Sequence, residues 1–410
     1  MKIVIAPDSF KGSLGALDVA RAIAAGWESV RPGDSLTLIP LADGGEGTLD
    51  AVEASVPGAQ RRDAGPVTGP DGRHTPGAWL SLPDGTAMVE LAQMSGIPLM
   101  RSLDPLGAST EGLGQVIGSA LASGASRLII GLGGSASTDG AAGALSALGL
   151  RSDGTLTAGG AALASLGSLD RSQLRAPPPD GVTLLTDVSA PLLGPTGAAA
   201  VFGPQKGASP AEVKQLDAAL AHFAELLGGD LRGAEVATAE VASTGTAGAE
   251  IAGAETFGAE TSSAETSSAD HLAADPTRPG TGAAGGAAYG FAAVWGARIE
   301  PGAEYLCALT GVPAAIAGAD LLITGEGRFD ATSSTGKLVG TLIGLAGERG
   351  VPVAVIAGQL AVAPVGSDGR ALWASGLADV AGSAEAAMAD PARWLREAGA
   401  AAARGAKTPR

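Results

Sequence analysis

The feature that most constrains this chain is an apolar run that ends in a glycine-rich loop. Residues 127–131 read Arg-Leu-Ile-Ile-Gly, and the loop Leu-Gly-Gly-Ser-Ala-Ser-Thr-Asp-Gly follows before a helical pattern resumes. The run predicts a strand, and the loop after it lacks bulky side chains. Its backbone N–H groups and the start of the next helix can therefore face an anion directly. The sequence predicts a phosphate-binding loop in an α/β protein.

Two other interpretations of this loop stay open at this point. Residues 131–136 satisfy the dinucleotide pattern G-x-G-x-x-G/A, but a chain with 64 glycines produces accidental matches, and a plain tight turn has the same composition. The hydroxyl groups of Ser135, Ser137 and Thr138 stand beside the carboxylate of Asp139. Such a set suits phosphates with Mg²⁺ better than a pyrophosphate alone.

Length and charge limit the function classes. A chain of 410 residues exceeds what one hydrophobic core usually serves, so two domains with a cleft are expected. The formal net charge of −16 argues against a nucleic acid or an anionic membrane as partner. The first residues become polar too soon for a signal peptide, no apolar run reaches the length of a membrane span, and Cys307 is the only cysteine. We expect a cytoplasmic protein.

Apolar runs alternate with helical patterns at both ends of the chain. Five candidate parallel strands lie at 2–6, 36–41, 319–324, 351–357 and 377–380. Apolar runs at 79–82 and 87–91 flank Pro-Asp-Gly, which predicts a hairpin that a simple βαβ series lacks. We therefore predict a Rossmann-like parallel-sheet domain over 1–65 plus 285–410, an inserted mixed α/β domain over 66–284, and an interdomain cleft.

Local signals mark helix starts and one unusual segment. Ser13 is the predicted N-cap of a helix over 14–27, and Ser209-Pro-Ala-Glu212 forms a capping box. Residues 233–277 contain eight carboxylates and no Lys or Arg, which is half of the net charge. A five-residue repeat in this segment matches neither helix nor strand periodicity. We predict a disordered, low-complexity acidic insertion over 233–281.

Charged residues embedded in glycine follow several predicted strands. The segments are Asp-Ser-Phe-Lys-Gly at 8–12, Asp-Gly-Gly-Glu-Gly at 43–47 and Gly-Glu-Gly-Arg-Phe-Asp at 325–330. Because carboxyl ends of parallel strands line the ligand crevice, we expect these segments to converge. Asp43 or Glu46 alone is also explained as a cap of the helix near Thr48. In the inserted domain, Asp187 follows a strand and Lys206 lies in a glycine loop, a pattern that suits phosphoryl transfer or a solvated turn.

Across nearly the whole chain outside the acidic insertion, these motifs resemble the type I glycerate kinase family of bacteria. The matching segments are 6–13, 42–48, 131–143, 187–188, 202–208, 282–286, 319–330 and 336–337. The resemblance implies phosphorylation of D-glycerate by ATP, usually at the 2-hydroxyl group, with Mg²⁺ and an interdomain site in two α/β domains. Ala141 departs from the pattern, since glycine is common there.

The resemblance and the residue types together assign roles. Asp187 is the first choice to accept the proton of the attacking hydroxyl group, Asp43 is the second, and Lys11 and Lys206 would hold the glycerate carboxylate and the transferring phosphoryl group. The other assignments are substrate binding by Ser9, Lys11, Glu46 and Arg328; nucleotide binding by Gly133, Gly134, Ser135, Ser137, Thr138, Gly325, Glu326 and Lys337; and metal binding by Asp139 and Asp330.

Two rival classes stay open. An NAD-dependent oxidoreductase of a small hydroxy acid would use residues 131–136 as its dinucleotide turn, with Asp153 on the ribose. A non-catalytic small-acid binding protein would also use a two-domain cleft, but it would not need so many carboxylates beside phosphate-type loops. The partners expected are D-glycerate and a nucleotide, and we also consider a homodimer.

Overall fold

A computed structural model describes residues 1–243, 275–333 and 337–406. It has the mixed α/β architecture expected from the sequence. Within these residues, the strands in chain order are β1 Lys2–Ile5, β2 Ser35–Leu38, β3 Gln60–Thr68, β4 His74–Ser81, β5 Thr86–Glu90, β6 Arg127–Gly131, β7 Arg151–Ser152, β8 Leu169–Asp170, β9 Val182–Leu185, β10 Arg298–Glu300, β11 Leu321–Phe329, β12 Val353–Leu360 and β13 Trp373–Gly376.

Helices form a large part of the remaining described chain. In chain order they are α1 Ala16–Glu28, α2 Thr48–Ser55, α3 Ala92–Ser95, α4 Glu111–Ala122, α5 Ala142–Ala147, α6 Ala198–Phe202, α7 Pro210–Ser243, α8 Ala283–Trp295, α9 Gly302–Leu309, α10 Val312–Ala317, α11 Leu338–Glu348, α12 Leu377–Ala381, α13 Ala384–Ala389 and α14 Pro391–Gly405. Short 3₁₀ helices lie at Ile97–Leu99, Gly160–Ser165 and Pro204–Lys206.

The first sheet is built from the two ends of the chain. Its five strands run in the order β13-β12-β11-β1-β2, and all neighbours are parallel. Helices α1 and α14 cover one face, where Trp27 is completely buried, and α11 covers the other. Both faces are therefore apolar, as expected for a parallel sheet covered by helices on both sides. The predicted Rossmann-like sheet is confirmed.

The second sheet is mixed. In the sequence, its strands come between the two segments that form the first sheet. Its order is β10-β9-β6-β5-β4-β3, with antiparallel pairing at β3, β4 and β5 and parallel pairing from β5 to β10. Because its strands run from Gln60 to Glu300, this sheet extends beyond the predicted limits of 66 and 284 at both ends. Helix α9 lies between the sheets, with Leu306 in the core of the second and Cys307 in the core of the first.

Several local predictions can be checked directly. The hairpin is present as β4 and β5, and the capping box forms, with Ser209 N donating to Glu212 Oε2 over 2.7 Å. Residues 377–380 form helix α12 and not a strand, and β13 at Trp373–Gly376 is the fifth strand. Ser13 does not cap α1: its hydroxyl group donates to the carbonyl of Phe10, and Gly15 occupies the N-cap.

The described residues at both ends of the predicted acidic insertion have ordered structure. The backbone of α7 continues as a helix to Ser243, and residues 275–281 pack against the second domain, where Leu192 N donates to Pro276 O over 2.9 Å. Thr281 is fully buried. Residues 244–274, where the repeat lies, fall outside the described residues. In the described part of the chain, none of the helices combines the length and the apolar character that a membrane crossing requires.

Candidate active site

The crevice of the first sheet lies where its strand order reverses. From β1 the chain passes to β2 on one side, while β11 pairs with β1 on the other. Ligands of open parallel sheets bind at the carboxyl ends of the strands at such a point. A cavity of about 420 Å³ opens there, and Asp8 after β1 and Glu326 and Arg328 of β11 contribute to its polar side.

Lys11 and Asp43 form an ion pair in this cavity. The Lys11 Nζ atom lies 3.6 Å from Asp43 Oδ2, and Asp43 Oδ1 accepts a hydrogen bond of 3.0 Å from Gly45 N. The charge of Asp43 raises the pKa of Lys11, so the ammonium group stays protonated at neutral pH. The loops after β1 and β2 therefore place a cation and an oriented carboxylate side by side, as the strand-end argument predicted.

Asp8 is a site residue that the sequence analysis missed. Its side chain is nearly buried, and Oδ1 accepts a hydrogen bond of 2.6 Å from Ser9 N. Burial, together with the negative charge of Asp43, raises the pKa of Asp8 to about 7. The signal that could have found it is its position directly after β1, in a segment already expected to enter the crevice.

The outer part of the cavity carries charges of both signs. Arg328 Nε lies 3.8 Å from Asp330 Oδ2, and Lys337 Nζ donates to Thr332 Oγ1 over 2.9 Å. Burial raises the pKa of Glu326, and its Oε1 atom is buried with no hydrogen-bond partner among the described residues. The structure therefore brings together Lys11, Asp43, Glu326, Arg328, Asp330 and Lys337.

Gly325 was assigned to the nucleotide but lies inside the sheet. It pairs with Ile356 of β12, and a Cβ atom at this position would come 1.7 Å from the Ile356 carbonyl oxygen. The lack of a side chain at Gly325 thus permits strand pairing. This placement does not support a direct contact with a ligand.

The other side of Lys11 faces a second cavity, which has a volume of about 490 Å³. Ser9 and Glu46, both assigned to the substrate, line it together with Glu90 at the end of β5. Lys11 thus separates two hollows, and the predicted substrate residues lie mainly on the side away from Arg328. This arrangement gives a small acid and a larger ligand access to the same ammonium group.

Glu90 caps α2 and was also missed. It is almost completely buried; Oε1 accepts from Gly47 N over 3.1 Å and Oε2 from Leu49 N over 3.0 Å. Burial raises the pKa of Glu90 to about 7. Because Glu90 supplies the cap, neither Asp43 nor Glu46 is needed for it. The capping alternative for these two residues is therefore wrong, and both are available to a ligand.

The glycine-rich loop after β6 borders a smaller cavity of about 180 Å³. Gly133, Gly134 and Ser135 line it with Lys206 from the second domain. The Lys206 Nζ atom donates to the carbonyl of Ser137 and lies 3.4 Å from Ser135 Oγ. Burial lowers the pKa of Lys206 to about 7. Four of the predicted residues thus meet at one small hollow.

The glycine-rich loop and the Asp43 loop touch each other. Gly133 N donates to Gly44 O over 3.1 Å, and a Cβ atom on Gly133 would lie 2.4 Å from the Cα atom of Gly45. Only glycine permits this approach of two backbones. The loop that carries Asp43 therefore separates the switch-point cavity from the hollow of Lys206.

We expected the side chains of Ser137, Thr138 and Asp139 to face a ligand. The structure instead buries all three completely. Asp139 Oδ2 accepts hydrogen bonds from Thr110 N at 2.9 Å, from Thr110 Oγ1 at 2.7 Å and from Gly143 N at 3.3 Å. Burial raises the pKa of Asp139. An internal carboxylate thus occupies the start of α5, where we expected an external anion. This placement does not support Asp139 as a metal ligand.

A pair of substitutions tests this internal role. Asp139→Ala should lower the free energy of unfolding by roughly 3 kcal/mol, because it leaves three buried donors unpaired. Asp139→Asn keeps an acceptor oxygen for the same donors and should cost about 1 kcal/mol. Urea unfolding measures both. The Asn variant should also keep the Mg²⁺ dependence of the wild type, and a raised Mg²⁺ requirement would restore Asp139 as a ligand.

Asp187 lies near the site but outside the cavity of Lys11. Its Oδ1 atom accepts a hydrogen bond of 3.2 Å from Ala303 N at the start of α9, and Oδ2 is buried with no partner among the described residues. Burial raises the pKa of Asp187 to about 6. It lines a shallow hollow with Val188, which also borders the hollow of Lys206. Asp187 is therefore connected to the hollow of Lys206 through Val188, and it does not line the cavity of Lys11.

The fold and the site together define a two-domain α/β enzyme with charged ligand cavities at its strand ends. One domain supplies a parallel sheet with an ion pair at its strand reversal, and the other supplies a glycine-rich loop with a buried lysine. The chain belongs to the glycerate kinase family, whose sequence profile matches residues 3–407. It is therefore a kinase.

Individual relatives agree over most of the chain. It is 37% identical over 368 residues to glycerate 2-kinase of Escherichia coli K12, covering 88% of this chain and 86% of the relative. It is also 37% identical over 372 residues to glycerate kinase of Bacillus subtilis 168, covering 88% and 85%. A crystal structure from Salmonella typhimurium LT2, provisionally named glycerate kinase 2, superposes with a TM-score of 0.71 at 32% identity and covers 98% of this chain and 97% of that one.

Proposed function

We propose that this kinase transfers the terminal phosphoryl group of ATP to the 2-hydroxyl group of D-glycerate. The observation that carries the proposal is the ion pair between Lys11 and Asp43 at the switch point of the parallel sheet. The name of the Escherichia coli relative, glycerate 2-kinase, supports the 2-hydroxyl group as the acceptor. Transfer makes a bond between the hydroxyl oxygen and the γ-phosphorus and breaks the bond from that phosphorus to the β,γ-bridging oxygen.

Asp43 is the base that we favour for this step. Its Oδ2 atom faces Lys11, and its Oδ1 atom is held by Gly45 N, so the carboxylate has a fixed orientation toward the cavity. It would accept the hydroxyl proton while ADP leaves with the bridging oxygen. Lys11 would hold the glycerate carboxylate or the transferring phosphoryl group. The position of Asp187 outside this cavity makes it the second choice and reverses our order of preference.

The remaining assigned residues would hold phosphate oxygens around this pair. Lys337 and Arg328 carry positive charge on the outer side of the cavity, and Gly133, Ser135 and Lys206 offer donors beside the Asp43 loop. Ser9 and Glu46 remain assigned to glycerate on the other side of Lys11. Phosphoryl transfer depends mainly on such positioning and charge neutralisation, because the protein forms no covalent bond to the substrate.

The carboxylates of the cavity fit Mg²⁺ that arrives with ATP. Among the described residues, no group of three His, Cys, Asp or Glu side chains could hold a metal ion alone. Mg²⁺ needs only one or two carboxylates when phosphates and waters complete its shell. Glu326 has a buried oxygen without a partner, and Asp8 and Asp330 line the same cavity. One or two of these carboxylates would hold the ion, which would neutralise phosphate charge when bound.

Product analysis tests the proposal. The purified chain is incubated with ATP, Mg²⁺ and D-glycerate, and phosphorus NMR identifies the product. We expect 2-phosphoglycerate and ADP in equal amounts, with little ADP formed when glycerate is omitted. Formation of 3-phosphoglycerate would change the acceptor atom, and no glycerate-dependent ADP would refute the proposal.

An NADH fluorescence titration addresses the oxidoreductase alternative. The cytoplasmic location and the homodimer stay predictions.

A further inference from the structure

The switch-point cavity has two unlike walls. Its charged wall carries Lys11, Arg328 and Lys337 with the carboxylates described above. Its other wall is apolar and comes from the segment after β13, where Leu377 and Met388 belong to α12 and α13. A ligand that fills the cavity therefore has an anionic part and a part with apolar faces.

The high exposure of Met388 distinguishes this wall from the other apolar surface of the described residues. It is 61% exposed, more than any other large hydrophobic side chain of the described residues, whereas Ala387 beside it is buried in the core of the first sheet. Single exposed hydrophobic residues are common on protein surfaces. This one borders a cavity of about 420 Å³, within the range of small-molecule sites, together with Pro391 and Ala384.

The size and composition of the cavity select one ligand of the proposed reaction. Glycerate has three carbons and no apolar surface large enough to cover this wall. ATP has a flat base and a ribose at one end and a chain of phosphates at the other, which matches the two walls. The apolar wall contains no charged side chain that would require a counter-ion.

We infer that the nucleoside part of ATP lies against the wall formed by Leu377, Ala387, Met388 and Pro391, with its phosphates directed toward Lys337 and Arg328. This inference rests on the proposed function, because it takes ATP as the donor. It adds a binding surface that the sequence analysis did not assign, since residues 377–380 were interpreted there as a strand.

Met388→Asp tests the inference with Val365→Asp as the matched control. Val365 is 47% exposed and lines none of the cavities described above. A carboxylate in the wall should raise the KM for ATP by about tenfold or more, since one methylene in an apolar pocket is already worth about tenfold. The KM for D-glycerate should not change. The control should leave both KM values unchanged, and circular dichroism confirms folding of both variants.

Fragments of ATP separate the two walls on the wild-type and variant enzymes. Adenosine and magnesium tripolyphosphate are each used as inhibitors competing with ATP. Met388→Asp should weaken inhibition by adenosine and not by tripolyphosphate, and Lys337→Met should do the reverse. If the wild type phosphorylates glycerate but the variant shows unchanged KM for ATP and unchanged adenosine inhibition, the inference is wrong and the proposed function stands. If the wild type forms no phosphoglycerate, the proposed function itself fails, and adenosine binding is then measured directly by NMR.

Discussion

Asp43→Asn is expected to lower kcat for glycerate phosphorylation by about 10²- to 10⁴-fold, the range that a general base contributes. The substitution is nearly isosteric. Its amide oxygen can still accept the hydrogen bond from Gly45 N, so the loop keeps its shape while the carboxylate facing Lys11 is lost. The KM values should change much less than kcat. Steady-state kinetics with a coupled ADP assay measures all three constants.

Asp187→Asn is the matched control for this experiment. Asparagine can still accept from Ala303 N, so α9 should keep its position, and kcat should fall by less than about tenfold because Asp187 lies outside the cavity of Lys11. The reverse result, a large loss at Asp187 and a small one at Asp43, would make Asp187 the base. Equal and small losses in both variants would mean that neither Asp43 nor Asp187 is the base.

Lys11→Met should lower kcat/KM by about 10²- to 10³-fold, the loss typical of removing one preorganised donor to developing charge. Methionine keeps most of the length and apolar stem of lysine but removes the ammonium group. The Lys11 side chain is 56% exposed, so folding should be nearly unaffected. Kinetic constants for ATP and for D-glycerate show which ligand loses the contact.

Two comparisons separate the charge of Lys11 from general effects. Lys214→Met removes an exposed lysine of α7 that lines none of the cavities and should behave as the wild type. The double variant Lys11→Met, Asp43→Asn should lose less activity than the two single losses multiplied, because paired residues act as a unit. Full activity of Lys11→Met would contradict the role of the ion pair.

Residue types and strand ends were enough to predict which loops meet at the first sheet. Asp43 and Lys11 follow β2 and β1, and parallel strands place their carboxyl ends at one edge whatever the intervening sequence. Asp8 has the same position, so its omission was a failure to apply the rule to every charged residue. Glu90 shows the same signal in the second sheet, where it ends β5.

The sequence did not show which side chains of the glycine-rich loop are buried. Ser137, Thr138 and Asp139 have the chemistry of a phosphate site, but they face inward, and the pattern of a glycine-rich loop does not say which side chains reach solvent. Ala141 illustrates the same limit: its φ of 66° is a left-handed conformation that suits glycine, and its side chain is fully buried.

Short apolar segments were the other source of error. Four residues at 377–380 have no periodicity that separates a strand from a helical turn, and the long helix α7 shows that an acidic composition does not by itself end a helix. The limits of the inserted domain also depended on β3 and β10, whose sequences give weak strand signals. Their place in the second sheet follows from pairing with distant strands.

The central position of β1 has a consequence for synthesis on the ribosome. Thr324 of β11 donates to the carbonyl of Ala6, across 318 residues of sequence. β1 is synthesised first, but it can pair with β11 only after most of the chain has been made. The inserted domain can collapse earlier because its strands are continuous in the nascent polypeptide. The crevice between β1 and β11 is therefore completed at the end of translation, and an unfinished chain carries no assembled site that could consume ATP.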